Sequence, residues 1–304
     1  MTLLYTTLGA RRRDQLGMIL PHEHVFVDLR TPETPGHGVA AADDVLRLMG
    51  LPIAAAAVAG VSAIVDCGPI GVGRRADILK HVSEATSMPI VVPTGIYREP
   101  WVPAWALAAS ETTLEDWMRG ELDDQIEHSG VRAGFIKLSA GDDGMTDAER
   151  RILRAATRAA TTSGAAIGSH TIRAQVVHDQ LDTLEATGGD PSRFVWIHAS
   201  ADTLATNLEI AARGAWIEYD WIGEPADDPM FIERVLRMCD AGYADRLLLS
   251  HDRGWYDPAQ PGGGRPKPYT YIIEVFLPRL RAAGANDALI HQLTVVNPFA
   301  AFSR

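Results

Sequence analysis

Short apolar runs recur along the whole chain and are separated by longer segments of helical character. The runs lack a strict alternation of polar and apolar positions, as expected for strands that are buried on both faces of a parallel sheet. Regular alternation of such strands with helices indicates repeated βα units. We predict eight strands in these runs: Met18–Val27, Val61–Cys67, Ile90–Thr94, Gly134–Leu138, Ala165–Ser169, Phe194–Ile197, Ala215–Tyr219 and Arg246–Ser250.

The segments between the runs carry helix signals. Thr146 and Glu149 form a capping-box pattern at the start of one segment, and Gly164 follows its end. Eight strands alternating with helices favour an α/β protein, a (β/α)₈ TIM barrel with residues 1–304 in a single domain, over an open Rossmann sheet. The predicted helices include Thr146–Ser163, Ala201–Arg213, Pro229–Ala241, Tyr269–Ala283 with a break near Pro278, and one from Asn286 onward, and Leu51–Val65 is interpreted as a helix end leading into a strand.

The stretch Asp257–Pro268 is rich in glycine and proline and follows the eighth predicted strand directly. A domain linker at this position would leave the barrel open. Lids over active sites are one accepted reason for a long loop without regular structure. We therefore predict that this stretch lies over the mouth of the barrel.

Composition and charge narrow the possible partners. The net charge of −11 disfavours a nucleic acid, since proteins that bind one usually present a basic patch. Cys67 and Cys239 form no disulfide framework, which favours the reducing cytoplasm. We expect no signal peptide, because Met1–Ala10 has no basic segment before its apolar residues, and no membrane span.

Several residues of metal-binding type lie at the carboxyl-terminal ends of predicted strands. His22 and His24 are two apart, so that on a strand both side chains point to one face. His170, His198 and Asp252 end three further strands. The carboxyl ends of barrel strands converge on one mouth, which turns these scattered residues into one candidate metal site. Each has a structural alternative, since a histidine often packs in a core and an aspartate often caps a turn.

Lys137 lies inside the apolar run Gly134–Leu138. A charged lysine is costly to bury, so it either reaches solvent, pairs with an acid, or is neutral. In the last case its amine could carry CO₂ as a carbamate, an anion that would bridge two cations. A mononuclear, deaminase-like barrel shares the histidines and the aspartate but leaves this lysine unexplained.

The ordered set of His-x-His, Lys, His, His and Asp resembles the phosphotriesterase family of the amidohydrolase superfamily. The resemblance covers essentially the whole chain. It implies that His22, His24 and Asp252 hold the more buried of two metal ions and that the other two histidines hold the more exposed one. Carboxylated Lys137 and a hydroxide would bridge two divalent ions, zinc first, with iron, cobalt and manganese open. The short sequence segments that resemble those of the family are Pro21–His24, Asp66–Gly71, Thr94–Tyr97, Gly134–Lys137 and Asn297–Pro298.

The resemblance also implies roles for two residues outside the ligand set. Asp220, after the seventh strand, aligns with an acid that relays protons outward. Tyr97 matches a tyrosine near the metals in the phosphotriesterase-like lactonase branch. Those lactonases often carry an arginine where this chain has Trp221, and their last loop is longer and more apolar. Both departures argue against long-chain acyl-homoserine lactones as substrates.

Tyr97 and four further residues beyond the strand ends are candidate substrate contacts. Arg98 and Arg253 could hold an anionic group, and Trp221 and Trp255 could wall an apolar pocket. Each is equally consistent with a solvated or packed loop side chain.

We therefore expect a hydrolase that opens a lactone or carboxylic ester by attack of a metal-bridging hydroxide, with Asp252 as the proton acceptor. The alternatives are a phosphotriester (organophosphate) or a phosphorylated sugar lactone as substrate. A metal-binding protein without activity is a rival from another class, although none of the six ligands is missing. The substrate is a small molecule, and the resemblance implies a homodimer.

Overall fold

The structure is a computed structural model that describes residues 2–304. Its eight barrel strands agree with the predicted ones to within a few residues at each end. A short hairpin precedes them, Leu4–Thr6 paired with Gly9–Arg11, which the sequence analysis did not predict. The barrel strands are β1 Met18–Phe26, β2 Val61–Asp66, β3 in two parts (Ile90–Val91 and Pro93–Thr94), β4 Phe135–Ser139, β5 Ile167–His170, β6 Phe194–Ile197, β7 Trp216–Tyr219 and β8 Leu247–Leu249.

All neighbouring barrel strands that form ladders are parallel, which confirms the predicted α/β class. The two parts of β3 pair on opposite sides, the first with β2 and the second with β4, and so join the two halves of the sheet. At the remaining seam Asp252 N donates to His22 O at 3.1 Å. A short ninth strand, β9 Gly254–Tyr256, also pairs with β1 there. The barrel is therefore closed around its full circumference.

Helices cover the outside of the barrel. The predicted capping box is confirmed, because Thr146 and Glu149 exchange side-chain and backbone hydrogen bonds at the start of the helix Asp147–Ser163. Gly164 ends the same helix in the left-handed conformation that glycine favours. The helices are α1 Ala42–Val58, α2 Ala76–Thr86, α3 Ala104–Ala108, α4 Glu111–Asp123, α5 Asp147–Ser163, α6 Ala174–Ala186, α7 Leu204–Ala212, α8 Asp228–Asp240, α9 Leu277–Ala282, α10 Asp287–His291 and α11 Asn297–Phe302.

Two details of the helix prediction are wrong. The predicted helix Ala201–Arg213 begins three residues later, as α7, because the side chain of Thr203 caps the helix by accepting from Thr206 N. The predicted break at Pro278 is absent, since a π-helical segment, Ile272–Phe276, continues directly into α9. Pro278, which has no N–H to donate, follows this π-helical segment closely, at the second residue of α9.

The apolar core has two parts. The larger part lies between the strands and the surrounding helices. The smaller part fills the amino-terminal end of the barrel, where Ile19, Phe135 and Leu248 of the strands pack with Phe299 and Phe302 of the last helix. The polar residues described below therefore lie at the opposite, carboxyl-terminal end. None of the helices in residues 2–304 is long and apolar enough to cross a membrane.

The loop Asp257–Pro268 returns to the strand ends after one short 3₁₀ turn, Pro261–Gly263. Lys267 N donates to Gly254 O at 3.0 Å, which attaches the end of the loop to β9. Arg265 and Lys267 line a cavity together with Asp252. The loop thus lies at the mouth of the barrel, where the sequence analysis placed it.

Candidate metal centre

One cavity of about 180 Å³ at the carboxyl ends of the strands is lined by all six predicted metal ligands. They come from β1, β4 and β5 and from the segments that follow β6 and β8, and helical segments separate these elements along the chain. Barrel geometry alone brings them together. The six residues are His22, His24, Lys137, His170, His198 and Asp252.

Three of these residues form a compact group. The potential ligand atoms of His22, His24 and Asp252 lie within 4.8 Å of one another. Asp252 Oδ1 is 3.0 Å from His24 Nε2 and 3.7 Å from His22 Nε2, but it is buried and accepts no hydrogen bond. Burial alone would raise the pKa of Asp252, but the contact with His24 and the nearby His22 hold that pKa well below its usual range. An ionised carboxylate oxygen without a donor, beside two imidazoles, fits a divalent cation.

His170 and His198 form the second group, with ring centroids 4.4 Å apart. Burial lowers the pKa of His170 well below its ordinary value, and neighbouring His198 lowers it further. A neutral imidazole keeps a lone pair, which is the form that binds metals. The hydroxyl of Tyr97 lies 3.2 Å from His170 Nδ1.

Two of the candidate ligands have unusual backbone conformations. His198 has φ 67° and Asp252 has φ 54°, in the left-handed region that residues other than glycine rarely adopt. His198 N is held by Asp220 Oδ2 at 3.0 Å, and Asp252 N is held by His22 O at 3.1 Å. Such strain concentrates at functional sites, where the surrounding contacts keep the residue in place.

Lys137 is 2% exposed, so its side chain does not reach solvent. Among residues 2–304 no carboxylate oxygen lies within 4.0 Å of its Nζ. Two of the three explanations for this lysine, a snorkelling side chain and an ion pair, are therefore absent from the described structure. Its backbone is approached closely by Gly95 (φ 104°), where any β-carbon would overlap Lys137 O.

Carboxylates behind the histidines orient their rings. Asp220, which follows β7, contacts His198 Nδ1 at 2.9 Å and His22 Nδ1 at 3.1 Å. Burial would raise the pKa of Asp220, but His198 and His22 lower it below its usual range. His198 Nδ1 therefore donates to Asp220, and the Nδ1–H of His22 lies between Glu218 Oε2 at 3.0 Å and Asp220 Oδ2 at 3.1 Å, which leaves both Nε2 atoms for the cavity. Asp220, His22 and His198 also form a second compact group with ligand atoms within 4.8 Å.

Glu218 is a site residue that the sequence analysis missed. Its Oε2 lies 3.0 Å from His22 Nδ1, and the residue is fully buried. Burial raises its pKa to about 7, and the contact with His22 opposes this rise. A signal was present in the sequence, since Glu218 interrupts an apolar run and precedes Asp220 by two positions, which places both on one face of the strand.

Glu23, between the two histidines of β1, points away from the cavity. Its carboxylate accepts from Ser250 Oγ at 2.9 Å, from Arg253 N at 2.9 Å and from His251 Nδ1 at 2.6 Å. His251 Nε2 in turn accepts from Ile272 N at 2.9 Å, so the proton of this imidazole is on Nδ1. Glu23 thereby ties the segment that carries Asp252 to β1. His251 was not among the residues predicted from the sequence.

The predicted substrate contacts divide into two groups. Tyr97 and Trp255 line the cavity, and Trp221 stacks on His198 with ring centroids 5.1 Å apart. Arg98 and Arg253 do not line it. Arg98 pairs with Asp142 at 2.7 Å and Arg253 pairs with Glu224 at 2.8 Å, because carboxylates on nearby loops compete for the two guanidinium groups.

Comparison with known proteins agrees with this site. The model of the phosphotriesterase family matches residues 2–302. A phosphotriesterase homology protein of Mycobacterium tuberculosis is 31% identical over 100% of this chain and 98% of its own length. The aryldialkylphosphatase of Saccharolobus solfataricus is 27% identical over 95% of each chain. A solved variant of the PTE-like lactonase of Deinococcus radiodurans superposes with a TM-score of 0.86 at 31% identity, over 98% of this chain and 99% of its own.

Members of the matched family are metal-dependent hydrolases with binuclear centres that act on small molecules. The fold, the clustered histidines and the match over nearly the whole length agree with one another. This chain belongs to the phosphotriesterase family.

Proposed function

We propose that the protein opens a small lactone or hydrolyses a small carboxylic ester at a dinuclear metal centre. The observation that carries this proposal is the position of Tyr97, whose hydroxyl lies 3.2 Å from His170 inside the cavity of the six candidate ligands. The similarity to a PTE-like lactonase supports the same substrate class.

The residues present fit two divalent cations, for which we propose zinc. His22, His24 and Asp252 would hold one, His170 and His198 the other, and Lys137, carboxylated by CO₂, would bridge them. When bound, such ions supply a hydroxide nucleophile near neutral pH and polarise the oxygen of the substrate. The carbamate would replace the buried positive charge of a lysine that has no acidic partner among the described residues.

The side chains around the centre have matching protonation states. Burial raises the pKa of Tyr97 to about 12, so its hydroxyl stays protonated at neutral pH and can donate to an oxygen of the substrate. Asp252 stays ionised, so it can take the proton of the attacking water and pass it to the leaving alkoxide. Asp220 would relay protons outward from the centre. In a lactone the leaving alkoxide remains attached, and ring opening is the whole reaction.

The cavity restricts the size of the substrate. Its volume of about 180 Å³ is smaller than the roughly 300–1,000 Å³ of pockets for drug-sized ligands. Val27, Leu29 and Val72 supply apolar walls. These dimensions favour a small ring with a short substituent over a long acyl tail.

Phosphotriester hydrolysis is the second candidate, supported by the similarity to an aryldialkylphosphatase. Two metal ions can stabilise both the attacking and the leaving oxygen at phosphorus as well as at carbon. The apolar wall would accept an aryl or alkyl group of such a substrate.

We also propose that the protein is a homodimer located in the cytoplasm. Light scattering would test the dimer, and cell fractionation would test the location.

The test is a pH-indicator hydrolysis assay on protein of measured metal content. The substrates are lactones of varied ring size and tail, one phosphotriester and one aryl ester, each assayed with the unaltered protein and with Tyr97→Phe. We expect kcat/KM for small lactones to exceed that for the phosphotriester. We expect Tyr97→Phe to lower the lactone value by about tenfold, the loss of one hydrogen bond in the transition state. Dominant phosphotriester turnover, or about two metals per chain with no turnover, would overturn the proposal.

A further inference from the structure

A second cavity, of about 280 Å³, adjoins the metal cavity. Asp252 and Trp255 line both cavities, so the two spaces meet at these side chains. The remaining lining residues are Gly254, Arg265 and Lys267. The second cavity is therefore built by β9 and by the glycine- and proline-rich loop that follows it.

Trp255 separates the two cavities and is held in an unusual conformation. Its φ of 76° is in the left-handed region, and its ring packs edge-on against His24 with centroids 5.5 Å apart. A β-carbon at the preceding Gly254 would overlap His24 O and the hydroxyl of Tyr269, so the backbone is fixed against β1 at this point. The indole Nε1 is buried and has no hydrogen-bond partner in residues 2–304. A strained residue with an unused donor calls for a functional explanation.

Two cations face this cavity without a partner. Neither Arg265 nor Lys267 has a carboxylate oxygen within 4.0 Å in the described part of the chain, whereas Arg98 and Arg253 are both paired. The loop holds the two in place, since Lys267 N donates to Gly254 O and prolines follow both residues. In a chain with a net charge of −11, two adjacent unpaired cations create a local field that favours an anion.

We propose that Arg265 and Lys267 bind an anionic group, a carboxylate or a phosphate, carried by the substrate away from its reacting carbonyl. The carbonyl lies in the metal cavity, the body of the substrate passes Trp255, and the anionic group lies in the second cavity. A guanidinium and an ammonium are the two side chains that bind such groups most strongly. The inference rests on the proposed function for the position of the carbonyl, but the anion site itself stands on the loop.

The first test compares two substrates that differ only in charge, a γ-lactone with a carboxylate on its side chain and the methyl ester of that carboxylate. The proteins are the unaltered chain, Arg265→Gln/Lys267→Gln, and Arg237→Gln, which removes an exposed cation of α8 outside both cavities. We expect the ratio of kcat/KM for the anionic to the neutral lactone to fall by about tenfold or more in the double variant, chiefly through KM. Arg237→Gln should keep the ratio of the unaltered protein. An unchanged ratio in the double variant would overturn the proposal.

The second test does not depend on turnover. Calorimetric titration of the metal-loaded proteins with glutarate, with inorganic phosphate and with neutral glutaramide measures anion binding directly. Anions that bind only at the metals would bind the unaltered protein and the double variant equally, which would refute the site. We expect the Kd of glutarate or phosphate to rise by about tenfold in Arg265→Gln/Lys267→Gln, and the anion that shows the larger rise identifies the preferred group. If anions bind in this way but no lactone is hydrolysed, the proposed function fails and the anion site stands.

Discussion

Replacing Asp220 by Asn tests how the metal centre is held together. One carboxylate oxygen contacts His198 Nδ1 at 2.9 Å, and the other contacts His22 Nδ1 at 3.1 Å and His198 N at 3.0 Å. An asparagine keeps the shape but has a single acceptor oxygen. Whichever way its amide is turned, an NH₂ group faces an N–H donor of His22 or His198. One of the two rings must then turn or change its tautomer.

The size of the effect follows from these contacts. Loss of a single partner of this kind costs about 10–100-fold in metal affinity. Asp220 supports two of the candidate ligands, one in each proposed metal site, so we expect the upper part of that range for at least one ion. The corresponding loss of binding free energy is about 2–3 kcal/mol.

The assay is metal content per chain after dialysis against a graded series of chelator concentrations. Asp142→Asn is the matched control, because it removes an equal charge from a half-exposed ion pair with Arg98 outside the cavity. We expect Asp220→Asn to lose metal at roughly 10–100-fold lower chelator concentration than the control. Thermal unfolding of both variants without metal separates this effect from a general loss of stability. Equal retention of metal by Asp220→Asn and Asp142→Asn would refute the orienting role.

Three further predictions concern other parts of the structure. Gly95→Ala should lower the free energy of unfolding by about 2–3 kcal/mol, since its β-carbon would overlap Lys137 O. Gly120→Ala lies inside α4 with free space around it and should raise the free energy of unfolding by about 0.5–1 kcal/mol. Chemical denaturation measures both values, and equal effects of the two substitutions would contradict the geometry. Lys137→Ala should reduce the metal content from about two ions to about one per chain, and full retention of two ions would refute the bridging role. Hydrogen bonds from Arg154 and its neighbour Arg158 lower the pKa of Glu111 below 4.5 in the folded state. A carboxylate whose pKa is lower in the folded state stabilises the fold at a pH above its unfolded-state pKa, and this stabilisation is lost as the pH falls through the folded-state pKa. Glu111→Gln should therefore lower the free energy of unfolding by up to about 1 kcal/mol at pH 7 and by almost nothing at a pH below the folded-state pKa. A cost independent of pH in denaturant titrations would contradict this sign.

Much of the fold was predictable from local patterns. Strands buried on both faces must be apolar throughout, so the eight runs stood out from the amphipathic segments between them. Thr146 and Gly164 marked the ends of α5 because capping depends on a few neighbouring atoms. The hairpin at Leu4–Thr6 was missed, since its strands are only three residues long and its polar strand is exposed.

The candidate ligands were predictable for a related reason. The carboxyl-terminal parts of barrel strands converge on one mouth, so position along the chain was enough to predict that His22 and Asp252, 230 residues apart, lie together. Glu218 was missed because its signal, an acid that interrupts an apolar strand, does not show which side chain the acid contacts in the fold. The roles expected for Arg98 and Arg253 failed to match their positions, because each guanidinium found a carboxylate on another loop.

The sequence by itself determined the order of the strands and helices and the set of polar side chains at one end of the barrel. Both depend on local periodicity and on the parallel arrangement of strands, which short segments encode. Only the tertiary structure decided which charges remain free. An ion pair between loops, such as Arg253 with Glu224, depends on distances of a few ångströms between segments far apart in the chain. The same distances leave Arg265 and Lys267 without a partner among the described residues.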